Sequence, residues 1–454
     1  MGSSLPSSTK AGIQAAETEK AKDTAIIDVK ALSTAITGRF GALPETGIHA
    51  IPRIPAYILK KNKNLYVPRS IAIGPYHHGK KHLQAMEQHK FRYLQDLLKR
   101  SNANAFSANA CLEGLLKKME AMEAKARRCY SEDIKLKKTE FVQMMVLDAC
   151  FIIEFLFKLD DRKGNISDVG FGGLQSIDTD LLLLENQIPF FIIEELFELL
   201  GAESNKRTFL TSHLYNHLTS ENFFGAENRE KQPKNPQEIH HLLHLYYHWF
   251  IGNTKERRES EKTSDKNEQI REDVIPCATV LHEAGVSFRK KILPGHNFDI
   301  TFKKGVMEIP AIRIEDPNMH CFANLVAFEQ SIRCETMKMT SFTLLMDSLL
   351  NTEKDVAILQ RCDVIDNTLG SEKVVARLFN QLGVYGPIKK NHFAEIFRQV
   401  NRYRNNKCNK YRARLVHDYF NTPWAILSLV AALVLLALTL WQSFFATYSY
   451  FHPP

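Results

Sequence analysis

Apolar residues recur at helical spacing through much of the chain. From Thr139 to Leu159, Phe141, Met144, Met145, Phe151, Ile152, Phe155 and Leu159 form one stripe. Val142, Val146, Leu147 and Ile153 occupy the other faces, which predicts a helix buried on most sides. Asp148 sits in the middle of its apolar stripe. A second helix is expected over Leu83–Arg100, with Glu87 and Lys90 as an i,i+3 pair. The run Asp180–Glu185 leads through Asn186-Gln187-Ile188-Pro189 into a helix with Pro189 in its first turn and Gly201 as its stop. Helical patterns return over Phe322–Leu350 and Lys373–Leu382. Alternation with period two marks Phe298–Phe302 and Ile312–Ile314; with Val286–Phe288 these predict a small antiparallel sheet. Ser70–Ile73 reads as a short strand ended by Gly74-Pro75.

One apolar run is longer than the rest. Trp424 to Phe445 carries no charged residue, and twenty-two residues at about 1.5 Å each span roughly 33 Å. Pro423, Trp424, Leu429, Leu433, Leu436, Leu440 and Trp441 are the residues expected to build a transmembrane anchor. Just before it lie Arg398, Arg402, Arg404, Lys407, Lys410, Arg412 and Arg414, with no Lys or Arg after Trp424. That asymmetry predicts a single-pass protein with its large N-terminal part in the cytosol, and the basic residues meeting anionic headgroups of the bilayer.

The remaining pattern sets the boundaries. Residues 1–44 are rich in Ser, Thr, Ala and Lys and are expected to be disordered. A domain is expected over 45–418, interrupted by a charged flexible loop at 252–273, then an anchor at 419–445 and a short tail at 446–454. The fold class is therefore α+β: a mainly α-helical globular domain with a small antiparallel sheet, plus one C-terminal transmembrane helix. No repeat of 20–50 residues is present.

Charge and candidate chemistry change this picture little. Of the formal net charge of +8, residues 389–414 supply all, as nine Lys/Arg against Glu395. A nucleic-acid-binding face would spread that excess over the domain, so no nucleic-acid partner is expected. The eight cysteines contain no CxxC pair, a usage that fits a reducing compartment without excluding disulfides. His240, His244 and His248 share one helical face, but His241 stands where a zinc H-E-x-x-H motif needs Glu, and an amphipathic helix with Leu242, Leu243, Leu245 and Trp249 inward is the favoured reading. Gly74–Lys80 lacks the phosphate-loop pattern and reads as a turn. Asp148, Asp180 and Glu185 interrupt apolar runs. Such acids could serve as general acid and base if they met in a cleft, but they more often cap helices or pair with Arg, Lys or backbone donors. No metal, cofactor or catalytic residue is assigned.

The sequence also resembles a known family. Tyr66-Val67-Pro68, Ile73-Gly74-Pro75-Tyr76-His77-His78-Gly79, Leu83, Met86-Glu87 and Lys90 are similar to the opening of the plant "domain of unknown function 247" family (UPF0481-type proteins). Further matches are Met144–Asp148 with Phe151 and Glu154, Asp180, Leu183–Pro189, His241-Leu242-Leu243, Asn324–Gln330, Asp355-Val356, Asp366-Asn367 and Pro423-Trp424. The resemblance implies a plant membrane protein without established enzyme activity. Association of some relatives with pollen–stigma self-incompatibility suggests recognition or signalling. The expected function is thus a non-catalytic interaction or signalling module with unknown protein partners. The alternative is a membrane-associated enzyme using Asp148, Asp180 or Glu185. A channel subunit is a weaker third, because one uncharged span lines a pore only after oligomerisation.

Overall fold

A computed structural model describes residues 28–40, 50–101, 105–160, 173–200, 210–215, 238–251, 274–292, 296–332, 337–382, 391–406, 409, 411 and 423–451. The chain divides into two units, Met1–Ile48 and His49–Pro454. In the first, helix α1 (Val29–Phe40) forms within the segment whose sequence lacks clear periodicity, and Asp28 Oδ1 accepts the backbone N–H groups of Lys30 and Ala31 at its start. The 252–273 loop lies outside the described residues.

The second unit opens with α2 (Ala56–Asn62) and a strap of turns and extended chain, and then turns helical. Helices α3 (Gln84–Ser101), α4 (Ala105–Arg128) and α5 (Lys138–Asp160) pack on one another, with α4 and α5 also packing on α7 (Phe190–Leu199). The central one is α5, as its apolar pattern predicts: Phe141, Met144, Met145, Phe151, Ile152 and Phe155 are all buried. Each such side chain contributes about 1.5–3 kcal/mol on burial, so α5 organises this half of the core. Helix α6 (Gly173–Leu181) precedes α7, and α8 (Leu242–Ile251) and α9 (Ala278–Glu283) follow it. Pro189 is the residue before α7 rather than its first turn.

Five short strands follow. They are β1 (Ser287–Lys290), β2 (Thr301–Lys303), β3 (Val306–Ile309), β4 (Ile312–Ile314) and, later in the chain, β5 (Ile365–Asn367). The expected antiparallel sheet is corrected here. β3 sits in the middle of a mixed sheet, antiparallel to β2 and parallel to β1, while β4 pairs in parallel with β5. The hairpin comes from Lys304-Gly305, both at positive φ, a two-residue turn whose twist matches the flanking strands. A Cβ at Gly305 would lie 2.5 Å from the Tyr403 hydroxyl. Around these strands lie α10 (Asp316–Ser331), α11 (Lys338–Leu349), α12 (Glu353–Arg361), α13 (Glu372–Leu382) and α14 (Ala394–Asn405). The expected Phe322–Leu350 pattern is thus two helices. Glu329 of α10 accepts the backbone N–H groups of Met339 and Thr340 at the start of α11, at 3.1 and 2.7 Å, which fixes the break.

The expected transmembrane helix is also corrected. A helix of 29 residues, α15 (Pro423–Phe451), forms where the sequence places it. Among the described residues, however, no helix is long and apolar enough to cross a membrane. The side chains of Pro423, Trp424 and Leu429 fall outside the described residues. Leu433, Leu436, Leu440 and Trp441 are exposed on this helix.

Candidate functional site

The three acids singled out by the sequence all act on one strap, residues 51–80, which has little regular structure outside α2 and the 3-10 turn that follows it. Such a segment must place its backbone N–H groups somewhere, because a buried unpaired donor costs about 1–3 kcal/mol. Here side chains take them. Glu185, 4% exposed, accepts the Ile54 N–H at 2.8 Å on Oε1 and the Arg53 guanidinium at 2.8 Å on Oε2. Asp180 at the end of α6 accepts three consecutive N–H groups, from Arg69 (3.0 Å), Ser70 (2.6 Å) and Ile71 (2.9 Å). Burial pushes its pKa up to about 6, against the opposing effect of those donors. Asn186 continues the series: its Oδ1 accepts from Ile73 at 2.7 Å, and its Nδ2 donates to the Ile71 and Asp180 carbonyls. The expected strand at Ser70–Ile73 is therefore extended chain whose ladder partner is a set of side chains, not a second strand.

Asp148 holds the end of this stretch. Its Oδ2 accepts the Gly74 N–H at 2.7 Å, and its Oδ1 receives Lys90 Nζ at 2.6 Å. Lys90 is fully buried and also donates to the Ala72 carbonyl at 2.5 Å and to Glu87 at 2.7 Å. Three acceptors require the three protons of an ammonium. Burial works against that charge, but Asp148 and Glu87 outweigh it and hold the Lys90 pKa above its ordinary value. Gly74 is required for a second reason: φ is +75°, and a Cβ there would lie 2.3 Å from the Gln187 carbonyl oxygen.

His77 sits beside Glu185, its Nε2 3.6 Å from Oε2, while Lys80 donates to its Nδ1 at 2.5 Å. Burial, with Lys80 adding to it, lowers the His77 pKa to about 3, so the ring is neutral. The Gly74–Lys80 segment is a turn, with Gly74 and Gly79 both at positive φ.

The acids thus converge on one strap but hold different parts of it: Glu185 at residues 53–54, Asp180 at 69–71, Asp148 at 74. Each has its oxygens occupied by Arg, Lys or backbone donors. The neighbouring cavity of about 160 Å³, lined by Arg53, Ile54 and Leu184 among others, includes none of them.

Of the three histidines expected on one helical face, His244 and His248 lie on α8 and His240 lies before it, with ring centroids 4.7 Å (His240–His244) and 4.5 Å (His244–His248) apart. The helix is more buried than the amphipathic reading expects, His244 included. Its histidines serve the backbone. His241 Nδ1 accepts the His244 N–H at 3.1 Å, and His244 Nδ1 accepts the His240 N–H at 3.2 Å. Among the described residues no group of three or more His, Cys, Asp or Glu could hold a metal ion. Of the basic residues before α15, Arg398, Arg402 and Arg404 lie on α14; Lys407, Lys410, Arg412 and Arg414 fall outside the described residues.

Sequence reasoning missed several members of the same system. Asn324 accepts from the Leu184 N–H and donates to the Leu65 and His320 carbonyls. Gln187 donates to the Leu181 and Leu183 carbonyls and accepts from the Leu243 N–H. Asp355 accepts from the N–H groups of Thr279 and Thr352, joining α9 to α12. Lys90 carried a readable signal: it stands on the same face of α3 as the buried Met86, Tyr93, Leu94 and Leu97.

Residues 51–438 match the family DUF247, described as a plant protein of unknown function. The chain belongs to the DUF247 family. A UPF0481 protein of Arabidopsis thaliana is 31% identical over 423 residues, covering 88% of this chain and 86% of the relative. A putative UPF0481 protein of the same plant is 24% identical, covering 88% of this chain and 91% of its own. No solved structure matches the chain. The DUF247 resemblance read from the sequence is thereby confirmed, and among the residues on which it was read are several of the clamps just described: Lys90, Asp148, Asp180, the Glu185-Asn186-Gln187 run, Asn324, Glu329 and Asp355.

Proposed function

We propose that this DUF247 protein is a non-catalytic interaction module that acts by binding protein partners in a recognition or signalling role. The observation that supports it is the state of its buried acids. Asp148, Asp180 and Glu185 are each occupied by structural donors and line no common cleft. The basic run from Arg398 to Arg414 supports an anionic membrane surface as an additional contact.

Proximity labelling with the full chain in plant cells names the neighbours, and each is then titrated against the purified protein. Saturable, stoichiometric binding that leaves the partner chemically unchanged is the expected result. Two outcomes overturn the reading: no neighbour binds directly, or a bound molecule is turned over and that turnover disappears in folded Glu185→Gln protein.

A further inference from the structure

We infer that the cleft between α12 and α13 is a binding site for a multiply phosphorylated small molecule. The cleft is broad and open to solvent, with a volume of about 680 Å³, a size in the usual range for small-molecule sites. Its walls bring together Lys354 from α12 with Lys373 and Arg377 from α13, against Glu353 as the one acid of its lining. Lys373 and Arg377 are spaced i,i+4, which sets their Cβ atoms about 5–6 Å apart. Like charges at that spacing weaken a helix by a few tenths of a kcal/mol unless an anion lies between them.

Among the described residues the one anion supplied here is Glu353. Lys373 reaches Glu353 only at 4.0 Å, with both side chains more than half exposed. Lys354 and Arg377 make no ion pair or hydrogen bond among the described residues. Other surface lysines are matched, among them Lys118 with Glu195, Lys138 with Glu120, Lys158 with Asp96 and Lys291 with Asp299. The lining of the cleft carries a net +2 among the described residues.

Its walls are firm. Val375 and Phe379 anchor α13 in the core, and Asn62 donates to Gln381 at 2.9 Å, tying the wall to α2. Asn380 reaches the Asn351 carbonyl across the mouth at 3.4 Å. A planar guanidinium beside two ammonium groups matches phosphate oxygens bidentately and by charge. Three cations confined to one concavity, without a basic track leading away, suit a compact polyanion rather than a nucleic acid.

A free inositol polyphosphate and a phosphoinositide headgroup share this chemistry, and titration separates them. Isothermal titration of the full chain in detergent at physiological salt uses myo-inositol hexakisphosphate and inorganic phosphate. A parallel arm uses vesicles containing phosphatidylinositol 4,5-bisphosphate. The expected result is one-to-one saturable binding of the hexakisphosphate or of the vesicles. Lys373→Ala/Arg377→Ala should weaken it at least tenfold, and so should Lys354→Glu. Lys117→Ala/Lys138→Ala, on a different surface, should leave it unchanged. Because the substituted side chains are exposed, thermal unfolding should not move. Saturation by the free hexakisphosphate assigns a soluble ligand; saturation by vesicles alone assigns a lipid headgroup. Absence of binding in both arms overturns the inference, as do equal affinity for inorganic phosphate and binding undiminished in the cleft variants.

Discussion

Acidification should unfold this domain well above the pH at which carboxylates protonate, because three imidazoles are buried neutral. Burial lowers the pKa of His241 to about 3, His244 to about 2 and His77 to about 3, with neighbouring His rings adding to the first two and Lys80 to the third. In the unfolded chain each titrates near 6.5. Below pH 6.5 the unfolded state therefore binds more protons than the folded one, and stability falls as pH falls until the folded values are reached. Between pH 7 and pH 5 each ring removes about 2 kcal/mol, or roughly 6 kcal/mol for the three. Asp180 acts in the opposite direction. Its carboxyl, raised to about 6, takes up a proton in the folded state over the same interval and returns about 1 kcal/mol. The net loss of roughly 5 kcal/mol is comparable with the whole stability of a typical domain. Urea denaturation at pH 7, 6 and 5 and constant ionic strength measures it. His244→Gln should lower the pH 7 stability, because a cap is altered, yet flatten the profile by about 2 kcal/mol. A profile varying by less than about 1 kcal/mol across this range, or one that His244→Gln leaves equally steep, would refute the reasoning.

Other perturbations read the strap directly. Lys90→Met strands Asp148 without its cation and should destabilise by about 3–5 kcal/mol, while Lys90→Met/Asp148→Leu should recover part of that loss in the same denaturant assay. Gly74→Ala meets both a positive φ and the Gln187 carbonyl oxygen, and should cost about 2–5 kcal/mol by thermal unfolding. Cys150 is fully buried with its pKa pushed up to about 12, so a thiol reagent should modify it only after denaturant is added, whereas the half-buried Cys129 should react in the native protein. Arg402→Glu/Arg404→Glu should reduce sedimentation with anionic vesicles by about tenfold at low salt and by less at high salt, if the basic run meets a membrane surface.

Legibility in the sequence followed the range of the forces involved. α5 was readable because its period and its all-round apolarity are local properties of one segment. α4 carried a similar signal in Leu112, Leu115, Leu116, Met119 and Met122, diluted by the Lys and Glu between them, and it was passed over. Strand direction was not readable. β4 chooses its neighbour from a segment beyond three intervening helices, pairing Ile312 with Ile365, and no local pattern encodes that choice. The Lys304-Gly305 turn was a local cue to an antiparallel hairpin and could have relocated the second strand to Val306–Ile309. Asp148, Asp180 and Glu185 stand out in the sequence as unusual, but their partners lie 58 to 132 positions away. Sequence alone leaves capping and catalysis both open, and the fold supplies the partners that hold each acid.

That decision bears on what a family signature means. A regular helix or sheet satisfies its own backbone and leaves its side chains free to vary. The 51–80 strap cannot do this, so its amides are assigned one by one to Glu185, Asp180, Asn186 and Asp148. Replacing any of these by an apolar residue orphans donors that no neighbouring group can reach, at about 1–3 kcal/mol each. Polar residues recurring in fixed phrases, ordinarily read as chemistry, are here what an irregular buried segment requires in order to fold. Residues committed to such clamps are poorly placed to carry specificity. Surfaces that the clamps leave free are better placed, and the exposed cations Lys354, Lys373 and Arg377, of which only Lys373 has an acidic partner among the described residues, form such a surface.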